Sequence, residues 1–276
     1  MKKIADAFIR VTLIICLCSG AALAADPRTR ITFLTEDDRD TKDLEAEILF
    51  GRDLAARILG NYKVATDDNL IRYVNLIGKA LTLFSGRSEL RFYFVVLDSD
   101  EINAFATPGG YIFITSGAMK AMDNEAQLAC VLAHEIAHVI EKHVVRRLDI
   151  RGDDSSSFSA LSGAISANTA AVLNVLDKAM TDASEILFEK GYKLKEEMEA
   201  DSTGMIIASL AGYDPAELAV YLRTSQGFEK KDASYEGEHP QIDVRISSIE
   251  KTLVENGLDS KKQAKVRSRF HAYLNK

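Results

Sequence analysis

The stretch NEAQLACVLAHEIAHVIEKHVVRRL, residues 124–148, decides how the rest of the chain is read. Apolar residues recur through it at helical spacing, which predicts one long helix. Its most apolar part, VLAHEIAHVI at 131–140, nevertheless carries two imidazoles and a carboxylate. Polar side chains on so apolar a helix are costly to bury unless something satisfies them. His134 and His138 are four residues apart, so their rings share one face and can hold a single ion, with Glu135 directed at the neighbouring space. Two histidines satisfied by hydrogen bonds inside a buried helix are the competing reading.

H-E-x-x-H on a helix is a zinc-site pattern, and a catalytic zinc takes three protein ligands plus one open position. His143 stands nine residues from His134, about 180° around a continuous helix, which removes it from the ligand set. The three-histidine metzincin spacing fails as well, since Glu141 and Val144 stand where its glycine and histidine would be. Only His239 and His271 remain, so a carboxylate on another helix is the natural third ligand. KEEMEADSTG, residues 195–204, offers Glu196, Glu197 and Glu199. Glu197 precedes Asp201 by four residues, so one of these carboxylates can bind zinc. The other then accepts a hydrogen bond from the far nitrogen of a ligand histidine, best of all His134. Glu196 and Glu199, about 100° and 200° around from Glu197, face elsewhere. A solvated acidic helix start is the plain alternative for this run.

Working outward, Leu44, Ile48, Leu49, Leu54, Ile58 and Leu59 predict one helix, and residues 66–85 a second with Thr66 or Asp67 as N-cap. LRFYFVVLD (90–98) and YIFITSG (111–117) read as strands of one small sheet. Between them EINAFATPGG (101–110) reads as a loop closed by a Pro-Gly-Gly turn. Residues 151–176, rich in Ser and Ala, read as a loop running into a helix. Residues 197–213 and 214–226 predict two more helices, the first ended by Gly212, the second capped by Asp214 with Pro215 in its first turn. With no internal repeat and no linker, the expected fold class is α+β: one mainly helical domain over residues 25–276 with a small β-sheet.

Residues 1–24 differ from the rest. A basic start, an apolar run from 11 to 18 and small residues ending in Ala22-Leu23-Ala24 form the pattern of a signal peptide cleaved near Ala24. The run is too short to span a bilayer. Cys16 and Cys18 lack the small preceding residues that lipidation would call for, and they leave with this segment, so only Cys130 remains and no internal disulfide is expected. The formal charge is −7 for the whole chain. Removing Lys2, Lys3 and Arg10 together with Asp6 makes it more acidic, which argues against a nucleic-acid partner.

Four stretches in order, INAFATPGGYIFITSGAM (102–119), NEAQLACVLAHEIAHVIEKH (124–143), GYKLKEEMEADSTG (191–204) and EHPQIDVRI (238–246), resemble the HtpX-like and CAAX-prenyl-protease-like zinc metallopeptidases, peptidase family M48, in their soluble secreted form. The resemblance implies a gluzincin-type catalytic domain. One zinc ion would be held by His134, His138 and Glu197, with Glu135 the general base toward a zinc-activated water. It also implies that His239, with Arg245 six residues on, stabilises the oxyanion or caps the metal in a resting state. By chemistry alone His239 is a surface histidine beside a proline. The function implied is an exported, periplasmic metalloendopeptidase in quality control, with unfolded or misfolded polypeptides as substrates. Peripheral contact with the membrane or with outer-membrane assembly machinery belongs to the same expectation. YIFIT is either an edge strand offered to an extended peptide or a plain core strand, and Asn103, in the matching INAFA loop, is either a site residue or a turn former. The alternative is a chaperone or assembly factor whose zinc is latent beneath His239.

Overall fold

The computed structural model describes residues 41–152, 170–229, 242–259 and 263–274. The signal-like start, most of the Ser/Ala-rich run and His239 lie outside these residues. Helix α1 (Thr41–Asn61) and helix α2 (Asp68–Thr82) come first. Asp67 caps α2, its carboxylate accepting from the N–H groups of Asn69 and Leu70, donors that no helical carbonyl can reach.

Three strands follow: β1 (Tyr93–Leu97), β2 (Ala104–Thr107) and β3 (Tyr111–Thr115), in the order β1-β3-β2. β3 runs parallel to β1 and antiparallel to β2. This corrects one expectation and decides another. The segment read as a loop contains a strand, and of the two readings of YIFIT, edge or plain core strand, it is the central strand. AFAT is short and weakly β-forming by itself, so its pairing is supplied by the neighbour. The tight turn Pro108–Gly110, with Gly109 at φ 74°, folds it back so that Ala104 meets Ile114 and Phe105 meets Phe113. Side chains then alternate between two cores. Phe94, Val96, Ile112 and Ile114 enter the larger one, whereas Leu97, Phe105 and Phe113 pack with α1 in the smaller.

After the short α3 (Ser116–Lys120), helix α4 (Glu125–Ile140) is buried along its whole length. Asn124 caps it by accepting from the Gln127 N–H. The predicted helix through Leu148 is broken. α4 stops at Ile140, the Glu141 carboxylate is tied to the Thr203 hydroxyl at 2.7 Å, and Lys142 turns left-handed at φ 53°. A new helix α5 (His143–Arg147) then starts in another direction. The buried Val139 carbonyl at the end of α4 accepts from Arg87, whose guanidinium is itself buried against Glu47 at 2.9 Å.

Helix α6 (Ala170–Glu185) packs in the smaller core and passes through a π-helical turn, Ile186–Lys190, to Gly191 at φ 66°. Helix α7 (Leu194–Leu210) lies along α4, and α8 (Glu217–Glu229), α9 (Ile242–Glu255) and α10 (Arg267–Leu274) close the larger core. Where α7 crosses α4 the contact is backbone on backbone: a Cβ built on Gly204 would sit 2.8 Å from the His134 nitrogen. No described helix is long and apolar enough to cross a membrane.

Candidate metal centre

α4 and α7 bring together His134, His138 and Glu197, the one group of potential metal ligands among the described residues. The two Nε2 atoms are 3.0 Å apart. Glu197 Oε2 lies 3.5 Å from His134 Nε2, and Glu197 Oε1 lies 3.9 Å from His138 Nε2. With zinc–ligand bonds of about 2.0–2.1 Å, neighbouring corners of a tetrahedron fall about 3.3 Å apart. The three separations bracket that length, and two imidazoles with one carboxylate are a donor set that zinc accepts.

The buried charge points the same way. Glu135, Glu197 and Asp201 are buried together with a single guanidinium, Arg245. When all are ionised, three carboxylates face one cation, and a divalent ion balances the remaining two charges. The excess is visible in His134: burial opposes charge on its ring, yet Asp201 and Glu197 raise it to about 10. A metal ion satisfies the same demand by displacing that proton. Burial and the neighbouring His134 keep His138 neutral, its value pushed well below the ordinary one.

Asp201 stands where the four-residue spacing places it. Its Oδ1 is 2.9 Å from His134 Nδ1, although the ring N–H is not aimed squarely along that line. Burial would raise both carboxyls, but Arg245 and His134 together outweigh it, holding Asp201 low and Glu197 at about 2. Arg245 comes from α9, with Nε and Nη2 on the two oxygens of Asp201 at 2.9 and 2.7 Å and Nη1 2.7 Å from Glu197 Oε2. It is the residue expected to act beside His239, and its guanidinium lies on Asp201 and on Glu197, a member of the possible metal group. It anchors them, and 44 residues of separation kept this pairing out of reach of spacing arguments.

Three further residues surround the group: His143 and Glu199, which the sequence reading set aside, and Tyr192, which it missed. The break after Ile140 returns His143, which is not among the ligands, to the back of His138, Nδ1 to Nδ1 at 2.8 Å. Glu199, facing away from the ligand carboxylate, meets His143 Nε2 at 3.3 Å. Tyr192 stacks on the His138 ring, centroids 3.9 Å apart. The Lys142 turn that makes the first two contacts has no Gly to announce it.

The group opens into a cleft of about 620 Å³. Glu135 lines it beside His134, with residues 100–105 along one wall and apolar side chains such as Phe188, Leu218 and Leu222 along others. Burial pushes the Glu135 carboxyl up to about 7, while His134 and Arg245 draw it down. The Asn103 carbonyl accepts from the Thr115 N–H at 3.0 Å. Pairs in an antiparallel ladder alternate, so Ala104 directs its N–H and C=O away from β3, on the side of the cleft.

Two histidines and a glutamate from two crossing helices, with a second glutamate between the histidines on a cleft wall, define a gluzincin-type metallohydrolase site. Residues 70–253, two thirds of the chain, match Peptidase family M48, and the chain belongs to this family of metal-dependent, generally zinc, peptidases. It is 29% identical over 216 residues to the putative beta-barrel assembly-enhancing protease of Vibrio cholerae, covering 75% of this chain and 44% of that protein. Against the beta-barrel assembly-enhancing protease of Escherichia coli it is 27% identical over 215 residues, 76% and 44% of the two chains. The mitochondrial metalloendopeptidase OMA1 of Schizosaccharomyces pombe is 30% identical over 190 residues, 66% and 53%. The chain thus spans about half the length of these curated relatives.

Proposed function

We propose that this chain is an exported zinc metalloendopeptidase that cleaves extended segments of unfolded or misfolded envelope proteins. One observation carries the reading. The His134–His138–Glu197 group and Glu135 open on the same cleft that the outward edge of β2 lines. The signal-like pattern of residues 1–24 supports export. The names of the bacterial relatives, which refer to barrel assembly, support a place in the envelope.

His134, His138 and Glu197 would hold one zinc ion, which when bound polarises a carbonyl and lowers the pKa of water. Asp201 and Arg245 keep the ligand set in place, Asp201 behind the His134 ring and Arg245 across both carboxylates. Glu135 takes the proton of the attacking water and delivers it to the leaving amine, a transfer suited to a carboxyl drawn upward by burial. β2 binds the substrate backbone as an added strand through the free N–H and C=O of Ala104, which selects extended chains with little regard to sequence.

Zinc analysis paired with casein cleavage tests the proposal. Wild type and Glu135→Gln should both bind one equivalent of zinc, and only wild type should cleave. Zinc bound without any Glu135-dependent cleavage would sink the peptidase reading. It would favour the assembly-factor alternative, in which His239 caps the metal.

A further inference from the structure

We propose that His143 is the positioning residue of His138, the middle member of a chain His138–His143–Glu199 that fixes one ligand histidine from behind. The inference rests on reading His138 as a metal ligand. His138 Nε2 faces His134 Nε2 at 3.0 Å and Glu197, so the lone pair must lie there and the ring proton on Nδ1. That Nδ1–H lies 2.8 Å from Nδ1 of His143, which must therefore accept. His143 is left with its own proton on Nε2, directed at Glu199 Oε2 at 3.3 Å. Each tautomer is set by the next, and the carboxylate closes the series.

Burial makes the arrangement decisive. His143 is 1% exposed, so water cannot replace a missing partner at either ring nitrogen. Tyr192 fixes the remaining freedom, the tilt of the His138 ring, by stacking against it at an interplanar angle of 21°. Arg146 and Lys195, each 3.5 Å from a Glu199 oxygen, hold the carboxylate in place at the surface. The two ligand histidines are thus backed differently. His134 faces a buried carboxylate directly, at 2.9 Å from Asp201. His138 reaches its carboxylate only through a second imidazole.

The test is zinc affinity measured by competition with a chromophoric chelator, together with the visible spectrum of the cobalt-substituted protein. Asn places an amide oxygen near where Nδ1 of His143 stands, so His143→Asn should keep zinc affinity within a few fold of wild type and preserve the cobalt bands. His143→Leu offers no acceptor and should weaken zinc binding by about 10- to 100-fold with shifted bands. Glu199→Ala, at the half-buried surface end of the chain, should weaken it by less. Thermal melts of the apo proteins separate packing from ligation. Equal zinc affinity and cobalt spectra in wild type, His143→Leu and Glu199→Ala, whatever their melting points, would overturn the positioning role. Should His143→Leu not fold, unchanged affinity in Glu199→Ala alone does so. A wild-type protein that binds no zinc overturns the metal reading itself, a different result from either.

Discussion

Gly204→Ala is expected to damage the metal site and the fold together, although Ala is the better helix former. The added Cβ would stand 2.8 Å from the His134 nitrogen, 2.9 Å from its Cα and 3.1 Å from the Ala133 carbonyl carbon. Carbon contacts relax at about 3.5–4.0 Å, so α4 and α7 must separate locally by about 0.6–1 Å. Every clashing atom is backbone, so no side-chain rotation relieves the overlap. Replacing a helical Gly by Ala gains about 0.5–1 kcal/mol, and overpacking a filled interior costs about 1–3 kcal/mol. Rigid obstacles put the cost in the upper part of that range, leaving a net loss of about 1–2 kcal/mol. For a domain of this size the melting point then falls by roughly 2–8 °C. His134 sits on one of the separating helices and Glu197 on the other. A site tolerates only about 0.5 Å of displacement, so zinc affinity should drop by an order of about tenfold or more. Melting curves with and without zinc, plus a zinc competition titration, read both effects. An apo melting point equal to or above wild type, with unchanged zinc affinity, would refute the close-approach argument.

Two other perturbations test separate parts of the structure. Ala104→Pro removes an N–H that points away from β3, a place where an edge strand tolerates proline. Folding should survive, and kcat/KM on unfolded casein should fall by about 3- to 10-fold, the loss of one backbone hydrogen bond; an unchanged value would argue against strand addition at β2. Glu125, buried at the start of α4, is bonded to Tyr73, Tyr213 and Arg269. Burial would raise its carboxyl, but these partners hold it below the ordinary 4.5. The stability it contributes is therefore complete above that value and is lost as pH falls through the lower folded-state value. Glu125→Gln should melt lower than wild type at neutral pH and lose less on acidification, and parallel melting-point profiles for the two proteins would contradict this.

Local periodicity made half of the metal site legible, and the other half depends on contacts that no window of sequence contains. His134, Glu135 and His138 follow from a helical spacing within α4, and Glu197 with Asp201 from the same spacing within α7. What links the two helices is nonlocal. Arg245 reads as an ordinary basic residue on α9 until α7 brings two buried carboxylates to it. β2 reads as a loop because AFAT becomes a strand only once the Pro108–Gly110 turn lays it on β3. His143 was set aside by a sound rotation argument applied to a helix that does not continue.

That last difference bears on how the centre is built. A continuous helix through Leu148 would carry His143 away from His138 and leave the back of that ring facing apolar core, with its N–H unpaired at a cost of about 1–3 kcal/mol. The Thr203–Glu141 bond holds the end of α4, and Thr203 is the neighbour in sequence of Gly204, where the two helices touch. One short segment of α7, residues 197–204, therefore supplies the third member of the possible metal group, the partner of His134, the carboxylate behind His143, the tie at the helix end and the close approach itself. Substitutions within it should alter metal affinity more than their effect on stability alone would suggest, because the crossing of α4 and α7 sets the distance between ligands as well as the packing of the core.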